Sequence, residues 1–176
     1  MVNDGRDPQA APEPLERVRA LLNSWSTPGN GGAATDDFEA HIATLGVQNP
    51  AEAAQLRQLR DDLRAVVEHS DDAQSRLNAW IGRLDLRPVV QDGALTFQHR
   101  GGVPGDTLAL VLGAIQAGLW DRLKACPDCR WMFYDHSRNG SKRWCHMSAG
   151  GPEGRSCGSI AKVKRFRDRH KPGGTP

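Results

Sequence analysis

The chain has four cysteines, and all of them fall in the stretch from Cys126 to Cys157. Cys126-Pro127-Asp128-Cys129 is a tight knuckle that aims two sulfurs at one point, and Cys145 and Cys157 follow as single residues. Zn²⁺ takes four soft ligands in a tetrahedron, and a closed set of thiolates leaves no position for water, so such a site is structural before it is catalytic. The spacing therefore predicts one structural Zn²⁺ per chain on Cys126, Cys129, Cys145 and Cys157, organising a small domain.

Other uses of the same residues fit less well. A redox pair also reads Cys-x-x-Cys, but it needs a strand and helix context and leaves Cys145 and Cys157 without a purpose. Two disulfides belong to an oxidising compartment. The segment from Met1 to Pro14 has no apolar core of a signal peptide, so a cytoplasmic protein with reduced thiols is expected. Imidazole binds zinc as readily as thiolate, and His146 or His136 could take the place of one cysteine. No enzyme is expected: a metal-dependent nuclease or hydrolase built on Asp135, His136 and His146 needs an open coordination position, which four cysteine ligands do not leave.

At 176 residues the chain accommodates one domain, or a modest domain plus a small metal-stabilised one. No apolar run approaches the ~20 residues that span a bilayer, so no membrane partner is expected. The net charge of +2 hides an asymmetry. Residues 1–120 hold ten Arg and no Lys against sixteen Asp and Glu, net −6, whereas residues 121–176 hold thirteen Lys and Arg against five acids, net +8. Four thiolates on one Zn²⁺ lower the second figure by 2, to +6, and the remaining excess points to a polyanion.

Residues 1–13 and 172–176 read as disordered tails, polar and rich in Pro and Gly. Pro14 suits a first helical position, and a helix is predicted to about Trp25. The Gly-rich stretch Pro28–Ala34 lacks the ending of a phosphate loop and reads as a linker. A second helix is predicted from a cap at Thr35 to about Leu45. Asn49-Pro50 opens a third, in which Leu56, Leu59, Leu63, Val66 and Val67 recur at helical spacing and the Arg and Asp residues are expected to face outward. A fourth covers about Asp72–Leu84. Asp92-Gly93 between Pro88–Gln91 and Ala94–Gln98 is a two-residue hairpin signal. Asp106 is expected to cap a long helix with Leu108, Val111, Leu112, Ile115, Leu119 and Leu123 on one face, running directly into Cys126. The predicted fold class is a mainly α N-terminal domain with one β-hairpin, followed by a small α+β zinc finger.

Within that finger, Arg130–Asp135 reads as a strand, Ser137-Arg138-Asn139-Gly140 as a turn, and Lys142–Cys145 as the return strand. Trp131, Phe133 and Trp144 are expected to form a miniature core over the metal. Ser159, after Cys157-Gly158, is expected to cap a final helix to about Lys171. A knuckle, a hairpin and a cysteine at the start of a helix resemble a treble-clef finger.

On that helix Ile160, Val163 and Phe166 share one stripe, Lys162, Arg165 and Arg169 another, and Lys164 and Lys171 a further flank. Phosphate contact is predicted from this face and from Arg138, Lys142 and Arg143 in the hairpin turn. Arg138 and Asn139 are side chains able to pair with base edges.

The run from Cys126 to Cys145, Cys-Pro-Asp-Cys-Arg-Trp-Met-Phe-Tyr-Asp-His-Ser-Arg-Asn-Gly-Ser-Lys-Arg-Trp-Cys, resembles the first half of the CGNR zinc finger. That finger is found in bacterial proteins with an N-terminal ABATE domain, described as stress-induced transcription regulators. The second half departs: the family's Cys-Gly-Asn-Arg is Cys157-Gly158-Ser159-Ile160 here, after a Gly-rich insertion around residues 149–156. A flexible loop adds little closure entropy, so zinc binding tolerates the insertion, and no role of the family's Asn and Arg is carried to these positions. The resemblance is firm over about residues 122–171 and faint before them; it implies a CGNR-like finger over 122–171 and an α-rich ABATE-like domain over 14–121, between the disordered tails over 1–13 and 172–176 that composition gives. It also implies a cytoplasmic transcription regulator whose partner is double-stranded DNA. The rival reading is an adaptor whose zinc module docks on an acidic surface of the transcription machinery, and a homodimer is compatible with either.

Overall fold

Helix α3 (Pro50–Val67) is the element around which the others assemble. Its start follows from sequence chemistry: Asn49 Oδ1 accepts from the Ala51 amide at 2.9 Å, and Pro50 occupies the first turn. Leu56, Leu59, Leu63 and Val67 fall on one stripe and are buried. The computed structural model describes residues 7–27, 33–146 and 156–169.

Helices α1 (Leu15–Asn23) and α5 (Gly102–Gln116) pack against α3 and each other, and α4 (Ala73–Arg83) covers a further side with Trp80. Trp80 Nε1 donates to Asp62 at 2.8 Å, so the indole is buried with its polar atom satisfied. Between α1 and α3 the chain forms a short antiparallel ladder, β1 (Trp25–Ser26) with β2 (Thr35–Asp36), and then α2 (Phe38–Thr44). The predicted second helix thus starts later than Thr35, because Thr35 and Asp36 are drawn into this ladder. Most of the predicted linker, residues 28–32, lies outside the described residues.

The hairpin forms as predicted. Strands β3 (Arg87–Gln91) and β4 (Ala94–Gln98) pair antiparallel, closing at Gln91 and Ala94. Asp92 and Gly93 have φ of 51° and 77°, the left-handed pair that a type I′ turn needs.

Helix α5 differs from expectation at both ends. It begins at Gly102 rather than Asp106 because a carboxylate from another helix caps it: Glu52 Oε1 accepts from the Val103 amide at 2.8 Å. It stops at Gln116, where Gly118 turns left-handed at φ 67° and Leu119 donates back to the Ala114 carbonyl. A 3₁₀ turn (Trp120–Arg122) and strand β5 (Leu123–Ala125) then deliver the chain to Cys126, so a strand and not the long helix enters the knuckle.

Strand β6 (Met132–Tyr134) pairs antiparallel with β5, Leu123 opposite Tyr134 and Ala125 opposite Met132. The expected partner, Lys142–Cys145, forms no strand. The knuckle is itself the turn of the hairpin. Period-two alternation gives β6 two roles: Met132 and Tyr134 join the helical core, and Phe133 joins the cysteines.

Arg60 and Arg64 correct the expectation that the charges of α3 face outward. They are 2% and 4% exposed. Arg60 donates to Asp36, Asp61 and Ser24 at 2.6–3.1 Å, and Arg64 to the carbonyls of Leu22 and Trp25. Partners from distant segments make that burial tolerable.

The expected tail over residues 1–13 also proves partly ordered. Residues 1–6 lie outside the described residues, but residues 7–13 form a strap. Asp7 pairs with Arg19 at 2.7 Å, and the buried Gln9 accepts at its carbonyl from the Tyr134 amide at 3.0 Å. Residues 170–176, with Lys171 and the expected C-terminal tail, lie outside the described residues. Among the described residues no helix is long and apolar enough to cross a membrane.

Candidate metal centre

The knuckle is shaped by the backbone. Cys126 N donates to Trp131 O at 2.9 Å and Arg130 N to Cys126 O at 2.8 Å, with Arg130 left-handed at φ 55°. This turn points Cys126 and Cys129 at the same spot. Cys145 arrives from the loop after β6, and Cys157 is the first residue of helix α6 (Cys157–Arg169). A helix N-terminus favours a thiolate through its dipole and free amides.

The cap of α6 is Ser156 rather than the expected Ser159. Ser159 N donates to Ser156 Oγ and Ser156 N to Ser159 Oγ, both at 3.2 Å, a reciprocal box. Gly158 N donates to His146 O at 3.0 Å, tying the helix start to the residue after Cys145. The intervening residues 147–155 lie outside the described residues.

The four Sγ atoms lie within 4.8 Å of one another, with Cys129 to Cys145 at 3.5 Å and Cys145 to Cys157 at 3.7 Å. None is in a disulfide. Thiolates ~2.3 Å from a central zinc ion stand at tetrahedral edges of ~3.8 Å, so the donor set and spacing fit a closed tetrahedral site. Cys126, Cys129 and Cys145 are buried and Cys157 partly so, with Phe133, Trp144 and Trp131 packed against them as expected. Electrostatics point the same way. Hydrogen bonds from Cys129 and Cys145 push the Cys126 thiol far down, while hydrogen bonding with Cys126, and after it burial and the negative charge there, drives the Cys129 and Cys145 thiols up. Burial raises Cys157. Four thiolates in this space need a cation among them.

Neither histidine joins the set. A His146 ring nitrogen lies 2.9 Å from Gln9 Nε2, and His136 Nε2 lies 2.7 Å from Ala10 O, so both hold the N-terminal strap. Asp135 is committed as well. Its carboxylate, 0% exposed, accepts from Lys124 Nζ at 2.7 Å, Ser137 N at 2.9 Å and Lys142 N at 2.8 Å. Burial pushes its pKa up, but these bonds overcome that and hold it well below the ordinary carboxylate range. Arg122 Nη1 adds bonds to the carbonyls of Asp135 and Ser137. The loop from Ser137 to Arg143 is thereby fixed from beneath, with Arg138, Asn139 and Arg143 exposed. Lys142 is half-buried, its ammonium 5.2 Å from the Phe133 ring centre.

On α6, Lys162 and Arg167 are exposed, as are the apolar Val163 at 49% and Phe166 at 56%. Lys164, Arg165 and Arg169 belong to the helix, and their side chains lie outside the described residues.

Sequence reasoning missed the grip of the helices on the knuckle. Thr27 Oγ1 donates to Cys129 O at 2.9 Å, Arg64 Nη2 to Arg130 O at 2.9 Å, and Asn23 exchanges two bonds with the Met132 backbone at 2.8 and 2.9 Å. Arg130 also pairs with Glu68. The available signal was position: Arg60 and Arg64 fall at helical spacing beside Leu56, Leu59, Leu63 and Val67, and a charge on an apolar face demands a partner.

No curated protein matches the chain by sequence. Residues 122–170, which hold the four cysteines, strand β5, the knuckle, the fixed loop and helix α6, match the family model of the CGNR zinc finger.

Proposed function

We propose that the protein is a DNA-binding transcription regulator whose C-terminal module holds one structural Zn²⁺ on Cys126, Cys129, Cys145 and Cys157. The donor set supports zinc: four thiolates in a closed tetrahedron suit a soft-binding ion without redox chemistry. Zinc supplies a cross-link joining the knuckle, the loop at Cys145 and the start of α6. The chain's own residues do the rest. Asp135, Lys124 and Arg122 hold the loop that displays Arg138, Asn139 and Arg143, and α6 presents Lys162 and Arg167.

The observation that carries the reading is this fixed basic loop on a net-positive module, joined to a net-negative helical part. Anchored cations meet phosphates at a lower entropic cost than cations on a mobile loop. Titration of labelled duplex DNA with metal-loaded protein at several salt concentrations tests it. Saturable binding that weakens linearly in log–log with salt is expected, and no binding at physiological salt removes the proposal.

A second reading draws on the exposed Val163 and Phe166 of α6. An apolar pair one turn apart on a basic helix suits an acidic protein surface with an apolar groove, as in an adaptor for the transcription machinery. Retained partner binding by protein that does not bind DNA favours it.

A further inference from the structure

A cleft of ≈ 330 Å³ opens between α3, the β1–β2 ladder and the knuckle, where Trp25 stands among the cations Arg60, Arg64 and Arg130 and the carboxylates of Asp36, Asp61 and Glu68. Its size falls in the range that accommodates a metabolite. Buried cations are expensive, and an apolar side chain fills such a position at lower cost. The buried arginines differ in how they are neutralised. Arg19 has Asp7 and Glu16, and Arg60 has Asp36 and Asp61, each within 2.8 Å. Among the described residues Arg64 has no such pair. Its hydrogen bonds go to the carbonyls of Leu22, Trp25 and Arg130, and the carboxylate that stands beside it, Glu68 at 3.6 Å, is bonded to Arg130. A guanidinium has five N–H donors, and the three bonds Arg64 makes among the described residues all go to backbone carbonyls rather than to a carboxylate. Burial pushes its pKa down to about 10 against the pull of Glu68, and Arg130 and Arg60 add to the fall. The Arg64 and Arg130 guanidiniums lie 4.4 and 4.9 Å from the centre of the Trp25 ring, which gathers both cations at one place.

We propose that this cleft binds a small oxyanion, a carboxylate or phosphate group on a metabolite-sized molecule, through Arg64 and Arg130, and that its occupancy is linked to the metal centre. The link is physical. Arg64 holds the carbonyl of Arg130, the residue that follows Cys129, so a ligand that engages either arginine changes the clamp on the knuckle. Linkage is reciprocal: an anion that tightens the clamp raises metal affinity, and bound metal raises anion affinity by the same factor. The proposal does not depend on whether the basic face meets DNA.

The test is calorimetric titration of the full-length, metal-loaded protein with inorganic phosphate and, separately, with succinate. Saturable binding of at least one is expected, and which of them binds assigns the head group. Arg64→Met and Arg130→Met should each weaken it roughly tenfold or more, as expected for a charge-assisted contact. Glu68→Gln, which removes the competing carboxylate, should strengthen it several-fold, and Arg87→Met, on the distant hairpin, should leave it unchanged. If Arg64→Met does not fold, Arg130→Met and Glu68→Gln decide. Absence of saturable binding for both probes overturns the site, as does an affinity that neither Arg130→Met nor Glu68→Gln alters. An affinity unchanged by metal removal overturns the linkage.

Discussion

Replacing Asp135 with Asn should destabilise the metal-loaded protein by ~3 kcal/mol, the low end of the range for breaking a buried ion pair. The change keeps volume and removes charge. In the native protein the carboxylate meets only donors among the described residues: Lys124 Nζ and Lys142 N at one oxygen, Ser137 N at the other. An amide has one acceptor and one donor end, so in either orientation its NH₂ faces an N–H group. Lys124, left without its carboxylate, is one-quarter exposed and recovers part of its hydration, which sets the figure at the low end. Denaturant unfolding of both proteins at pH 7 reads the difference directly. The pH dependence follows from the sign of the shift. Asp135 has a folded pKa below its unfolded value, so its contribution is complete above the ordinary carboxylate pKa of ~4 and is lost as pH falls through the folded value. The difference between the proteins should therefore be constant from pH 6 to 8. A loss under ~1 kcal/mol, within the ordinary range for an unremarkable substitution, or a slope across that window, would refute the reasoning.

A fragment covering residues 121–176 should bind Zn²⁺ at least ~10-fold more weakly than the full chain in chelator competition, the usual scale for losing groups that orient metal ligands. It lacks Asn23, Thr27 and Arg64 and exposes Met132 and Tyr134. Cys126→Ser and Cys157→Ser should each lower the zinc content per chain, measured by metal analysis, and unchanged content in both would sink the four-cysteine assignment. Lys162→Ala should weaken binding to all duplexes alike and flatten the log–log salt slope by ~0.9, whereas Arg138→Ala or Asn139→Ala, where the side chain reaches a base edge, should cost ~1–3 kcal/mol on the preferred site only. Gly93→Ala should lower stability by ~1 kcal/mol in thermal or denaturant unfolding, because φ of 77° in the hairpin turn strains a β-carbon.

Much of the architecture was legible in local pattern. The stripe Leu56, Leu59, Leu63 and Val67 marked α3, Asn49-Pro50 marked its start, and Asp92-Gly93 marked the hairpin, because each signal is read within a few residues of where it acts. The expected ends of α5 were displaced for the opposite reason: its first turn is capped by Glu52, fifty-one residues away in sequence. Likewise Lys142–Cys145 reads as a strand by composition, but the Lys142 amide is taken by Asp135 and β6 pairs with β5 instead.

The four-cysteine cluster belongs to the first kind of knowledge. Ligand chemistry is carried by residue type and spacing, so four cysteines in a short basic segment already marked a set able to hold a metal ion. What only the tertiary structure decided is the company those residues keep. Arg60 and Arg64 look like solvent-facing charges on a helix, and their burial rests on Asp36 and on carbonyls at Leu22, Trp25 and Arg130 that arrive from separate segments. The strap at Gln9 and Ala10 reads as a tail until Tyr134 and His136 are placed beside it. Periodicity reports which face of an element is apolar, but the cost of burying a charge or an amide depends on partners, and partners are set by where the rest of the chain goes.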